Sequence, residues 1–229
     1  MKKHLKWIIP LVVVVVAAAA VAILVPLLRP YEPVIYEPGT IIYQSENITA
    51  KVVEPIYPYQ EVMPYYSSPS VEEAFGGTSV IAIGIVRNIR EVEITHHSEG
   101  EEHSRVYTLF DFCVSQYVKE KSREVRREKV LTVGWPASSY FYIAEYPKLS
   151  EGAEFLFFMQ APKEIDEGLA EYGAFTDVWV HHVHLFAFPK QGGRYVVSRY
   201  FEKFLTDEEK LRAATDLVDI IKKKVKEYS

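Results

Sequence analysis

The sequence predicts a mainly β fold: a small barrel of five or six strands with a C-terminal α-helix, preceded by one transmembrane helix. Three observations predict it. Trp7 through Leu28 is an unbroken apolar run without a charge. Short β-branched and aromatic runs recur between turn signals from residue 76 to residue 205. Only the last two dozen residues repeat their apolar positions at helical spacing.

The apolar run is long enough to cross a hydrocarbon core, at ~1.5 Å per helical residue against a thickness of about 30 Å. Lys2, Lys3 and Lys6 precede it and only Arg29 follows closely. That asymmetry predicts a cytoplasmic N-terminus and an extracytoplasmic remainder at the cell membrane. The competing reading is a cleaved signal peptide with small residues at Ala17 to Ala20. Retention is preferred, because cleavage there leaves Val21 to Val25 as an apolar new terminus. The expected divisions are a basic tail (1–6), the transmembrane helix (7–28), a strap (29–75), the barrel (76–205) and a terminal helix (206–229).

Beyond Arg29 the chain holds 22 basic and 31 acidic residues, a net charge of −9. Such a surface repels phosphate backbones, so no nucleic acid is expected among its partners. Cys113 is the sole cysteine, which excludes an internal disulfide. Charged residues are plentiful, while Asn (two) and Gln (five) are few, a composition like that of thermophile proteins.

Residues 30 to 69 carry seven of thirteen prolines and seven of sixteen tyrosines. Proline at that density disfavours helix, and the tyrosines disfavour a free tail, so the segment is expected to be extended and to lie partly on the domain. Asn47-Ile48-Thr49 is a glycosylation sequon.

Val80 to Val86 reads as a strand that bends, or is closely approached by another backbone, at Gly84. It continues through Ile94 to an expected polar loop, His96 to Ser104. Val106 to Val118 alternates, with Val106, Phe110, Phe112, Val114 and Val118 on one face. Lys119 to Lys129, with six basic and three acidic residues, is expected at a hairpin end. Val130 to Val133, Glu154 to Met159, Val178 to Phe188 and Tyr195 to Tyr200 complete the strands, the last two separated by a Gln191-Gly192-Gly193 turn. Thr206 and Glu209 form a capping box, and Leu211, Ala214, Val218, Ile221 and Val225 make one stripe along the helix it opens.

The Ser79 to Val86 strand, the long strand through Tyr107 to Val118, and Tyr146-Pro147-Lys148-Leu149-Ser150-Glu151-Gly152-Ala153-Glu154-Phe155-Leu156-Phe157-Phe158 together resemble a recurring exported module. That module is an OB-like barrel, loosely similar to netrin-like and TIMP-like domains. The resemblance covers about residues 78 to 200 and implies a fold and an exterior location, with no catalytic residues to carry over. The Lys-Gly turn usual after the module's second strand is here the charged run at Lys119.

Six of seven histidines fall in two clusters: His96, His97 and His103, and His181, His182 and His184. On a strand, His182 and His184 point to one face, and with the first cluster they are candidate ligands for zinc or copper. No standard zinc signature is present, and no cofactor is otherwise expected. Polar residues on a solvent-facing strand and loop are the preferred reading of both clusters. Cys113 is expected to be inert, and Asp111 to be paired with a basic side chain. Trp135, Tyr140 and Tyr142 are candidate binding aromatics, or else a lid on the barrel.

No nucleophile elbow, phosphate loop or dinucleotide fingerprint occurs. The leading expectation is a membrane-tethered, non-enzymatic binding or envelope-assembly module whose partner is an envelope protein or a cell-surface polymer. The alternative is a metal-binding domain built on the histidines, and the third is a hydrolase of unrecognised type.

Overall fold

The computed structural model describes residues 31–55, 69–98, 101–120, 125, 128–136, 147–180 and 182–228. The run Trp7 to Leu28 lies outside them. Among the described residues, no helix is long and apolar enough to cross a membrane. Pro33–Ser229 forms one compact unit, separate from Met1–Glu32.

Among the described residues, nine strands make one sheet: β1 (Ile41–Gln44), β2 (Ile48–Val53), β3 (Val80–Ser98), β4 (Glu101–Glu120), β5 (Val130–Trp135), β6 (Glu154–Met159), β7 (Val178–Trp179), β8 (Ala187–Gln191) and β9 (Arg194–Tyr195). The order is β7-β5-β4-β3-β6-β8-β9, with β2 also pairing β3 and β1 pairing β2. All pairs are antiparallel except β5 with β7. The expected closed barrel is therefore corrected: the sheet is open. Its nearest approach to closure is a single bridge in which Gln160 and Trp179 exchange two main-chain hydrogen bonds, without a ladder on either side.

Openness is compatible with burial because separate cores cover the two faces. Along β6, Phe155, Phe157 and Met159 join Val80, Ala82, Phe110, Phe112 and Val133 in one core. The alternate residues Leu156 and Phe158 join Ile81, Ile83 and Phe75 in a second. Burial on both faces is what an unbroken Phe-Leu-Phe-Phe-Met run requires.

The β3–β4 hairpin is far longer than an average strand pair, with nineteen and twenty residues. The expected loop at His96 to Ser104 is largely its outer end, where His96 pairs His103 and His97 pairs Glu102. Gly84 bends it: a Cβ there would lie 2.4 Å from the Cys113 carbonyl oxygen. The ladder shifts register beside Gly84, and the shifts send Val114 and Tyr117 to the first core and Val118 to the second. Val118 thus leaves the face on which strict alternation puts it.

The strap supplies β1 and β2, which extend the sheet across the outer half of β3. There Ile48, Ala50, Val52, Val92, Ile94 and Leu109 form a third core with Tyr172 and Trp179. Much of the charged run after Lys119 lies outside the described residues. Lys119 itself is buried, its Nζ donating to the carbonyls of Phe75 (2.5 Å) and Gly76 (2.9 Å). Those carbonyls end a π-helical turn, Glu73–Gly77, where an ammonium group is favoured.

The strand expected over Val178 to Phe188 is interrupted. After β7 the chain turns through one helical turn before β8 begins at Ala187. Ahead of β7 lie α1 (Pro162–Ile165) and a 3-10 segment (Glu167–Ala174); the turn after it is α2 (Val183–Phe186).

The C-terminal helix α3 (Asp207–Tyr228) opens with the expected capping box: Glu209 donates its amide to Thr206 Oγ1 (3.2 Å), and Thr206 donates its own to Glu209 Oε2 (2.9 Å). Its buried stripe is Ala213, Leu217, Ile220, Ile221 and Lys224, while Leu211 is 88% exposed. The expected stripe is thus one residue out of phase through most of its length. Asp216 departs from helical geometry (φ −114°, ψ 16°). Lys224 Nζ lies 3.0 Å from Glu209 Oε2, although a straight helix would separate the two backbones by about 22 Å, beyond the reach of both side chains. The helix therefore bends sharply at Asp216, and no single helical wheel describes it.

Candidate functional site

The outer end of the β3–β4 hairpin, with the strap strands beside it, gathers most of the described residues that can carry chemistry. On the covered face, His96 Nε2 lies 2.7 Å from the Tyr172 hydroxyl, and Tyr172 hydrogen-bonds Tyr107. Trp179 stands edge-on to Tyr107 at 5.3 Å, and Tyr172 packs on Phe175. Burial lowers the His96 pKa, helped by Arg105, His103 and His97 and opposed by Glu171. Burial likewise raises the Tyr172 phenol. At neutral pH this is a neutral imidazole–phenol pair.

Glu171, next in the chain, closes the strap turn. Its carboxylate accepts from Asn47 Nδ2 and from Ser45 Oγ, each at 2.9 Å. Those bonds, from Asn47 first and then Ser45, hold its pKa low. Asn47, the sequon residue, is exposed and spends its amide on this contact.

The opposite face carries a hydroxyl–imidazole–carboxylate chain. Thr49 Oγ1 lies 2.9 Å from His97 Nε2, and His97 Nδ1 lies 3.2 Å from Glu102 Oε1. This order matches a nucleophile, its base and the group that orients the base. The surroundings do not match. Thr49 sits on β2 between β1 and β3, so the neighbouring main-chain amides serve the ladders on either side and cannot form an oxyanion hole. Glu102 is 72% exposed, and the face is open to water. The chain is a polar cross-strand network rather than a catalytic centre.

Among the described residues, the histidines expected to share a metal each have other partners. His103 pairs with Glu101 at 3.4 Å, His97 is occupied by Thr49 and Glu102, and His96 by Tyr172. His182 is buried at the start of α2 beside the Phe186 ring, which belongs to the second core. The strand geometry that would align His182 with His184 is replaced by a helical turn. His181 and the His184 side chain lie outside the described residues. Among the described residues, no three His, Cys, Asp or Glu side chains form a group able to hold a metal ion.

Trp135 is 3% exposed, packed on Phe110 and Phe157. Its indole is core and offers no surface to a ligand. Tyr140 and Tyr142 lie outside the described residues. Burial pushes the Cys113 thiol up, which keeps it protonated. Asp111 pairs with Arg90 at 2.9 Å and accepts from Asn88 Nδ2 at 2.8 Å.

That last cluster holds the strap, a role its sequence gives no sign of. Asn88 takes a left-handed conformation (φ 50°), which asparagine tolerates better than most residues, and its amide also donates to the Val34 carbonyl at 3.0 Å. The Arg90 guanidinium lies 5.6 Å from the Tyr36 ring centre. The pinned segment then presents Val34 (61% exposed), Ile35 (76%) and, on β1, Ile41 (51%). Among the described residues, β1 hydrogen-bonds to one neighbour only, so its outer edge offers unpaired main chain. Comparison of the chain with models of known families, with curated proteins and with solved structures finds no match.

Proposed function

We propose that this chain is a membrane-tethered, non-enzymatic binding module, with residues 33–229 held outside the membrane by the run Trp7 to Leu28. Its partner is an envelope protein that adds to the sheet at β1. One observation carries the reading. Most large apolar side chains of the described unit are buried in three cores; of the five that stand exposed, Val196 and Leu211 lie apart in the chain, while Val34, Ile35 and Ile41 fall together on a strap whose main chain is fixed by Asn88. A fixed, exposed apolar edge is a binding surface or an aggregation hazard. The strap's acidic residues and the bulge in β1 limit the second outcome.

The test uses the full chain in its own membrane. A photo-crosslinking residue at position 41 is expected to give one discrete adduct, identified by mass spectrometry. The same group at position 211, also exposed and apolar, is expected to give none. Equal adducts at both positions, or none at 41, would remove the reading. Protease added to intact spheroplasts checks the tether. It should digest residues 33–229 and spare the N-terminus, and a protected domain would reverse the orientation.

A further inference from the structure

Resting on that reading, we infer that the β1 edge takes an extended peptide in which basic side chains flank apolar ones. The main-chain part of the argument is the edge itself. Strand addition needs a row of unpaired N–H and C=O groups, and among the described residues β1 presents one, because β2 pairs with one side of it and no described strand with the other. Specificity in this mode comes from alternate side chains, and here they meet two kinds of surface. Ile41 offers an apolar contact on the strand, and Ile35 and Val34 offer more on the pinned strap before it.

Charge supplies the rest. Between Pro33 and Glu54 the chain carries Glu37, Glu46 and Glu54 against a single base, Lys51. All three glutamates are exposed. Lys51 is already engaged, with its Nζ 3.1 Å from Glu93. The apolar edge is therefore flanked along the chain by exposed carboxylates, and the one base of the segment, Lys51, which faces Ile41 across the ladder, is already paired. A basic peptide gains from those carboxylates. An acidic peptide meets like charges at both ends of the strand, where Glu37 precedes β1 and Glu46 follows it. The same repulsion disfavours a second copy of this chain, since pairing β1 with itself brings the two sets of carboxylates together. Preorganisation helps as well: Asn88 and Arg90 fix the strap before any partner arrives, so little ordering remains to be done on this side.

The experiment titrates the full chain, in nanodiscs, with three labelled heptapeptides followed by fluorescence anisotropy. One alternates lysine with valine and isoleucine, one replaces each lysine with glutamate, and one carries proline at its centre in the lysine background. The lysine peptide is expected to bind, weakening as salt is raised. The glutamate and proline peptides are expected to bind roughly tenfold more weakly or worse. Ile41→Lys, a change at an exposed position that leaves the cores intact, should abolish binding of the lysine peptide. Equal binding of the lysine and glutamate peptides, or binding untouched by Ile41→Lys, would overturn the inference. If no peptide binds while the adduct at position 41 still forms, the partner's chemistry is wrong and the binding reading stands. If light scattering shows a dimer that Ile41→Lys dissociates, the edge belongs to a second copy and the inference fails.

Discussion

Leu217→Ala tests how the C-terminal helix is seated. Leu217 is 1% exposed, in the core that also holds Phe75, Phe158, Phe188 and Phe201. Removing its isobutyl group loses the transfer free energy of the buried carbons and leaves a cavity that aromatic neighbours fill poorly. The expected cost is about 3 kcal/mol, within the ~2–5 found for leucine truncations in cores. For a unit of this size each kcal/mol moves the melting temperature by about 2–4 °C, so the transition should fall by roughly 6–12 °C. The matched control is Leu211→Ala. Leu211 begins the stripe that the sequence suggests, yet it is 88% exposed, so its truncation should cost no more than about 0.5 kcal/mol. Calorimetric or circular-dichroism melts of the two variants beside the parent chain decide the matter. Equal losses, or a larger loss at Leu211, would mean that the helix turns the other face inward and that the bend at Asp216 is misplaced.

Two further outcomes follow from the same geometry. Glu209 and Lys224 should be coupled: a double-mutant cycle with Glu209→Gln and Lys224→Met is expected to give roughly 0.5–3 kcal/mol, because the pair is largely buried and touches only if the helix bends. Coupling near zero would argue for a straight helix. Stability should also decline in mild acid through His96. Its folded pKa lies below its ordinary 6.5, so as pH falls through 6.5 the unfolded chain takes up a proton first and unfolding gains; the loss stops growing below the folded pKa. Denaturant melts between pH 7.5 and about 5 should show a shallower decline for His96→Gln than for the parent. An identical slope in the variant would assign the decline to other groups.

Several features are legible in the chain because they are local. The β-rich character follows from short β-branched and aromatic runs, and the unbroken Glu154 to Met159 run announces a strand buried on both faces. The Thr206–Glu209 box needs only a four-residue window, and Gly84 marks a close backbone approach because nothing larger fits against the Cys113 carbonyl. A carboxylate such as Asp111, set in an apolar strand, demands a basic neighbour for reasons of solvation alone, even though its partner Arg90 cannot be named from the pattern.

The tertiary structure decided what depends on residues far apart in the chain. Whether a sheet closes is set by which edges meet. Here Trp179 reaches Gln160 through one bridge and no further, a relation that strand patterning does not encode. His96 finds its partner 76 residues away in a 3-10 segment, which turns a candidate ligand into a packed, neutral ring. The helix bends at Asp216, and its packing buries Ala213 and Leu217 rather than the neighbouring Ala214 and Val218. The strap resembles a linker in composition, yet it becomes two strands of the sheet because β3 runs past the rest of the domain and leaves a flank to be covered. That added flank ends in β1, and the free edge that carries the proposed function exists only because no described strand follows it.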